Sequence, residues 1–162
     1  LWLRDGVQLA PLLHGGGQEG GLRSGTLSPA LCAGFGAAAE LCISQMKNDA
    51  NHVDKLWIIA RTALPGWQLN GSATQRWRGN LNLRREGLDA ARLLSDCRGV
   101  ALSAGSACAS GSGRPSHVLR AMGLSPAAAR GSIRIGFGRY TDAEDLRTAC
   151  AQIESAAVAQ GV

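Results

Sequence analysis

The stretch Ser132-Ile133-Arg134-Ile135-Gly136-Phe137 alternates apolar residues with small or charged ones, which predicts a β-strand with two different faces. Ile133 and Ile135 point to one side of such a strand, and Arg134 points to the other. The planar guanidinium of Arg134 suits a carboxylate ligand. From this strand alone, a solvated or salt-bridged arginine is the favoured alternative.

Other short strands are predicted before this one, and helices separate them. A long helix is predicted to begin at Ser28-Pro29 and to stop at Leu64-Pro65-Gly66. Alternation predicts the earlier strands at 67–70, 81–83 and 100–103. Further helices are predicted at about 88–97, at 116–122, from Ser125-Pro126, and from a capping box at 141–144 towards Ala157. This order predicts an α/β fold, a sheet covered by helices.

The start of the chain resembles the interior of a domain. Leu1-Trp2-Leu3-Arg4 predicts the end of a β-strand, and no methionine precedes it. We therefore expect residues 1–30 to belong to a preceding domain and residues 31–162 to form the α/β domain.

The bulk composition narrows the class of partner. The chain has 162 residues, of which 45% are apolar, enough for one globular domain. Its net charge of +5 comes from scattered arginines with no basic run among aromatics. This favours a moderately basic soluble protein over a nucleic-acid-binding one, and an anionic small ligand or an acidic protein partner fits the charge equally well. No stretch has the length of a membrane span, and no signal peptide is visible, so no membrane partner is expected.

The cysteines indicate a reducing compartment. Five cysteines at wide spacings make a poor disulfide framework, which predicts a cytoplasmic protein. No Cys-x-x-Cys pair and no Cys/His cluster has the spacing of a zinc site, so no metal is expected.

The stretch Ser103–Gly113 surrounds Cys108 with small residues and hydroxyls. Such a segment cannot build a core, and it gives a thiol the access that a nucleophile needs. The alternative is an incidental cysteine on a turn.

Residues 14–26 form a second glycine-rich segment, His14-Gly-Gly-Gly-Gln-Glu-Gly-Gly-Leu-Arg-Ser-Gly-Thr26. Backbone N–H groups freed by glycine, the cation of Arg23 and the hydroxyl of Thr26 suit a phosphate, next to a helix start. A packed glycine turn is the alternative.

Taken in order, three blocks resemble the group I cysteine desulfurases, which depend on pyridoxal 5'-phosphate (PLP). These enzymes have fold-type I and belong to the class V aminotransferase superfamily. The blocks are residues 14–26, residues 103–112 with their continuation Pro115–Leu124, and residues 132–141. The resemblance implies a C-terminal small α/β domain preceded by the tail of the large PLP-binding domain.

The resemblance also implies roles for three residues. Cys108 matches the nucleophile that takes sulfur from L-cysteine, so that alanine leaves and a persulfide remains for a sulfur-acceptor or iron–sulfur scaffold protein. Arg134 matches the arginine that binds the substrate α-carboxylate. Thr26 matches the threonine that contacts the PLP phosphate of the neighbouring subunit in a homodimer. Gly20, Ala109 and Gly113-Arg114 depart from the family pattern, in which arginine, threonine and an apolar–acidic pair are usual.

One family feature is absent from these residues. The lysine that anchors PLP covalently precedes the point matching Leu1, and Lys47 and Lys55 both lie on the predicted long helix. We therefore expect these 162 residues alone not to turn over cysteine. The alternative function is a PLP-independent persulfide-relay or dimerisation module.

Overall fold

The computed structural model describes residues 1–104 and 115–162, which divide into two compact units, Leu1–Met46 and Lys47–Val162. The first unit holds a loop region with a single-turn 3-10 helix at Glu19–Gly21, followed by the first half of a long helix. The second unit holds the other half of that helix and all the strands described. Cys108 lies outside the described residues.

Helix α1 is Pro29–Ala63, as predicted. Ser28 Oγ accepts a 3.5 Å hydrogen bond from the Leu31 backbone N–H at its start, and Pro65 follows its end. In the second half of α1 the buried residues follow helical spacing: Val53, Leu56 and Ala60. The apolar residues of the first half are instead exposed, among them Leu31 at 77%.

The second unit contains four strands and four further helices. The strands are β1 (Gln68–Leu69), β2 (Asn80–Arg84), β3 (Ser103–Ala104) and β4 (Ser132–Gly136). The helices are α2 (Ala90–Asp96), α3 (His117–Ala121), α4 (Pro126–Arg130) and α5 (Ala143–Val158). The α/β fold predicted from the sequence is confirmed.

The strands form one antiparallel sheet in the order β1-β2-β4-β3. The register pairs Leu81 with Ile135 and Leu83 with Ile133. These four side chains are buried against α1, α2 and α5 in a single apolar cluster. The residues between them, which point to the opposite face, are polar.

Side-chain caps explain where three of the helices begin. Asp89 accepts hydrogen bonds from the N–H groups of Ala91 and Arg92 at the start of α2. Ser116 and Ser125 cap α3 and α4 in the same way, as the sequence predicts for both.

Three local predictions were wrong. The cap of α5 is Asp142 rather than Thr141, whose hydroxyl instead accepts a hydrogen bond from Gly138. Strand β3 begins at Ser103 because the chain is still turning at Val100, whose N–H bonds the carbonyl of Cys97. Residues 1–4 form no strand, because nothing in the described part of the chain pairs with them.

A carboxylate on α5 holds the residue that precedes β1 and the residue that follows β2. Glu154 accepts hydrogen bonds of 2.7 Å from Trp67 Nε1 and from Arg85 Nη1. Burial acts to raise the pKa of Glu154, but the hydrogen bonds from Arg85 and Trp67 outweigh it and hold that pKa below its ordinary value. Glu154 therefore stabilises the fold in its charged form.

We expect Glu154→Gln to lower the free energy of unfolding at pH 7 by about 1–2 kcal/mol. The effect is modest because the charged side chains of Glu154 and Arg85 are both partly exposed, so water screens their attraction. The pKa of Glu154 is lower in the folded chain than in the unfolded chain. Its contribution is therefore complete above the unfolded value of about 4.3 and is lost as pH falls through the folded pKa. Urea titrations of the parent protein and of Glu154→Gln between pH 3 and pH 7 measure how the difference in their free energies of unfolding depends on pH.

The matched control is Glu144→Gln, on the same helix, where the pair with Arg147 is 3.0 Å long and its glutamate side chain is 78% exposed. This change is expected to leave stability within experimental error. If Glu154→Gln lowers the free energy of unfolding by the same amount at pH 3 as at pH 7, the role assigned to the charge of Glu154 is contradicted.

Candidate functional site

Arg134 lies on the polar face of the sheet, with neutral residues directly opposite it on both neighbouring strands. It is exposed between the buried Ile133 and Ile135, as its strand pattern predicts. In the register it is opposite Asn82 on β2 and Ser103 on β3. Directly opposite residues of antiparallel strands share a face. Within residues 1–104 and 115–162 no carboxylate pairs with Arg134, so its charge is available to an anion.

A buried polar network runs next to Arg134 on this face. Asn70, which follows β1 and is 4% exposed, donates through Nδ2 to Asn82 Oδ1 at 2.6 Å and to Ser132 Oγ at 3.1 Å. Asn70 Oδ1 accepts from Arg84 Nη1 at 2.5 Å. Ser132 Oγ donates in turn to the carbonyl of Ala128 at 2.8 Å. The network therefore fixes the side chain that lies across from Arg134.

Arg76 holds the connection between Asn70 and β2. Its guanidinium donates to the carbonyls of Asn70, Ser72 and Asn80, and it lies 4.6 Å from the centre of the Trp57 ring. Arg76 thus holds the connection in a closed loop through three carbonyls and packs it against Trp57 of α1. These contacts fix the position of the Asn70 backbone.

The chain that leaves β4 is fixed to the second half of α1. Arg139 makes a two-pronged ion pair with Asp49, with a 2.8 Å bond from Nε to Asp49 Oδ1. The hydrogen bond from Arg139 holds the pKa of Asp49 below its usual range. His52 Nε2 lies 3.0 Å from the carbonyl of Thr141. These contacts anchor the end of the strand that carries Arg134.

The glycine-rich segment of the first unit is a tight turn with internal hydrogen bonds. Gly25 N–H donates to Gln18 Oε1 at 2.9 Å, and Arg23 Nη1 donates to the carbonyl of Gly25 at 2.9 Å. Gly21 has a φ of +81°, a conformation that favours glycine. Thr26 is exposed between this turn and the start of α1. Its hydroxyl has no hydrogen-bond partner among the residues described and is free to bind an anion.

The cysteines of the second unit that the structure describes do not have the environment of a nucleophile. Cys97 and Cys150 are buried in the apolar cluster. Burial raises the pKa of the Cys150 thiol to about 11 and also raises the pKa of Cys97. Both thiols are therefore packing groups. Cys108, the predicted nucleophile, falls in the part of the chain that is not described.

Two other kinds of site are absent from the described residues. No three His, Cys, Asp or Glu side chains there lie close enough together to hold a metal ion. No helix in those ranges is long and apolar enough to cross a membrane.

Comparison with known proteins shows the family. The model of the family described as "Aminotransferase class-V" matches residues 1–148, and the chain belongs to that family. The chain is 44% identical over 146 residues to a Rickettsia typhi protein named "Cysteine desulfurase IscS", covering 86% of this chain and 35% of that protein. It is 45% identical over 146 residues to a "Probable cysteine desulfurase, mitochondrial" of Schizosaccharomyces pombe, covering 88% of this chain and 29% of that protein. The chain thus spans about a third of the length of these relatives.

Solved structures show the same fold. A "NIFS-LIKE PROTEIN" matches with a TM-score of 0.82 and 27% identity, over 99% of this chain and 42% of that one. A structure titled "SspA in complex with cysteine" matches with a TM-score of 0.63 and 33% identity, over 83% of this chain and 37% of that one. The family resemblance predicted from the sequence blocks is confirmed.

The three predicted site residues lie in different parts of the chain. Thr26 lies in the first unit, Arg134 lies in the second, and Cys108 lies outside the described ranges. Sequence reasoning missed Asn70 and Asn82. Asn82 sits between Leu81 and Leu83, so the alternation that predicts β2 already places it on the polar face.

We expect Cys97 and Cys150 to resist alkylation by iodoacetamide at pH 8 in the folded protein, because both are buried and their pKa values are raised. Mass spectrometry of tryptic peptides measures the labelling. The same protein unfolded in urea is the control, and there both residues should label fully. Equal rates in the folded and unfolded protein would contradict the packing described for α2 and α5.

Proposed function

We propose that the full-length protein carrying this chain is a PLP-dependent cysteine desulfurase. It converts L-cysteine to L-alanine and keeps the sulfur as a persulfide on Cys108. The observation that carries the proposal is Arg134 on the polar face of the sheet, whose guanidinium pairs with no carboxylate among residues 1–104 and 115–162 and where an amino-acid carboxylate could bind. The sequence block around Cys108 and the named desulfurases among the relatives support the same chemistry.

The proposed reaction is redox-neutral overall. The thiolate of Cys108 attacks the sulfur of the bound cysteine, so that an S–S bond forms while the Cβ–S bond of the substrate breaks. The electron pair left on the substrate carbon takes up a proton, and alanine leaves. Arg134 holds the carboxylate throughout and so fixes the distance between the substrate sulfur and its acceptor.

The first unit offers groups that fit a phosphate. The free hydroxyl of Thr26 lies three residues before Pro29, where α1 begins, and the cation of Arg23 lies in the same turn. We assign these groups to the phosphate of PLP in a neighbouring subunit of a homodimer. When bound, PLP supplies the electron sink that makes loss of the substrate sulfur feasible.

Partners and domain boundaries follow from the same proposal. We assign residues 1–30 to the end of the large PLP-binding domain and residues 31–162 to the small domain. The persulfide would pass to a sulfur-acceptor or iron–sulfur scaffold protein. The four described cysteines are free thiols, which supports a reducing compartment such as the cytoplasm.

In the full-length protein, Cys108→Ser is expected to abolish persulfide formation and to reduce alanine release on the order of 100-fold or more. Alanine is measured by amino-acid analysis and the persulfide by mass spectrometry. The control is Cys42→Ser, which removes an exposed thiol on α1 and should leave both readouts unchanged. Persulfide formation at the normal rate in Cys108→Ser would overturn the proposal.

Residues 1–162 alone, supplied with PLP, are expected to release no alanine from cysteine. A lysine that anchors PLP needs a desolvated site, and both lysines of the chain are exposed on α1. The full-length protein assayed in parallel is the positive control. Alanine release by the 162 residues would show that the reaction needs no further lysine.

A further inference from the structure

The buried network beside Arg134 determines which way the amide of Asn82 faces. Arg84 can only donate hydrogen bonds, so the atom of Asn70 that it contacts at 2.5 Å must be the oxygen Oδ1. The nitrogen of Asn70 is then directed at Asn82. Because that nitrogen only donates, Asn82 must present its own oxygen to it.

A second contact fixes the same orientation independently. The hydroxyl of Ser132 gives its one proton to the carbonyl of Ala128 at 2.8 Å. It can therefore only accept from Asn70, at 3.1 Å, which again requires the nitrogen of Asn70 on that side. Asn70 and Ser132 are 4% and 0% exposed, so water does not compete for these bonds.

The result is a pair of donors side by side on the sheet. With its oxygen bound to Asn70, Asn82 directs its NH2 group away from the network, and this group has no acceptor among the residues described. Asn82 is directly opposite Arg134 in the β2–β4 register. Opposite residues have Cβ atoms about 4.5–5.5 Å apart, so the two side chains can reach a single small ligand.

We propose that Asn82 is a second carboxylate-binding residue, which donates from Nδ2 to the α-carboxylate held by Arg134. Asn70 is a positioning residue that acts through Asn82 by fixing the direction of its amide. A guanidinium and an amide NH2 group both donate only, so the pair selects a ligand with acceptor oxygens and no protons to offer, such as a carboxylate. This inference rests on the proposed function, in which Arg134 binds the amino-acid carboxylate.

The test measures binding of L-alanine to the full-length PLP-loaded protein by isothermal titration calorimetry, together with KM and kcat for L-cysteine. Asn82→Asp keeps an oxygen that accepts from Asn70, replaces the NH2 donor by a second oxygen, and adds a negative charge opposite Arg134. We expect the Kd for L-alanine and the KM for L-cysteine to rise about 10-fold to 100-fold, the range for a hydrogen bond to a charged group. The kcat should change far less.

The matched control is Asn80→Asp, which adds the same charge on the same strand and face, two residue pairs further along, opposite Gly136. It should bind L-alanine nearly as the parent protein does. Equal affinities for Asn82→Asp and Asn80→Asp would overturn the proposal.

The positioning role has a separate prediction. In Asn70→Asp one carboxylate oxygen still accepts from Arg84, while the other repels Asn82 Oδ1 and reverses its amide. Asn70→Asp should therefore weaken L-alanine binding, and combining it with Asn82→Ala should add little to the loss seen in Asn82→Ala alone, because Asn70 acts only through an amide at position 82. Fully additive losses would contradict a role of Asn70 through Asn82.

Arg134→Ala distinguishes a failure of the inference about Asn82 from a failure of the proposed carboxylate site. If it weakens L-alanine binding while Asn82→Asp does not, the inference about Asn82 is wrong and the proposed carboxylate site stands. If neither change affects binding, the carboxylate site itself is wrong, and the proposed function loses the observation that carries it.

Discussion

The pairing of β2 with β4 is the constraint on which both the core and the candidate site depend. Its five residue pairs run from Asn80–Gly136 to Arg84–Ser132. Because side chains alternate along a strand, a slip of one residue would turn Arg134 into the apolar cluster and expose its isoleucine neighbours. The burial of four aliphatic side chains against three helices therefore fixes the position of the polar residues on the other face.

Contacts within the fold hold most of the described part of that polar face, and these contacts differ along its length. Asn70 and Ser132 are satisfied by hydrogen bonds inside the fold. The end of β4 is held by the ion pair of Arg139 with Asp49. Arg134 is the exception, since it has a fixed backbone and an uncommitted guanidinium. A donor that no described side chain engages can bind a ligand carboxylate without first breaking an existing ion pair, which is the arrangement expected of a binding residue.

Local chemistry made most of the fold predictable from the sequence. The alternation around Leu81 and Ile133 predicts β2 and β4, and the Ser-Pro starts predict α1 and α4. The cap of α5 was misassigned because Thr141 and Asp142 are both good caps, and only the structure shows that Thr141 is engaged with Gly138.

The site was less predictable, because it depends on contacts between distant parts of the chain. Asn70 and Ser132 are 62 residues apart, and Asp49 and Arg139 are 90 apart. No local pattern connects either pair before the strand register is known. The role of Cys108 came from a family resemblance and from loop composition, and it remains a prediction.

The most direct test of the central claim is a crystal structure of the full-length protein with L-alanine bound. The account predicts that the alanine carboxylate lies about 2.7–3.1 Å from the guanidinium of Arg134, with Asn82 Nδ2 donating to the same group. A carboxylate held by other residues, with Arg134 and Asn82 both free of the ligand, would contradict it.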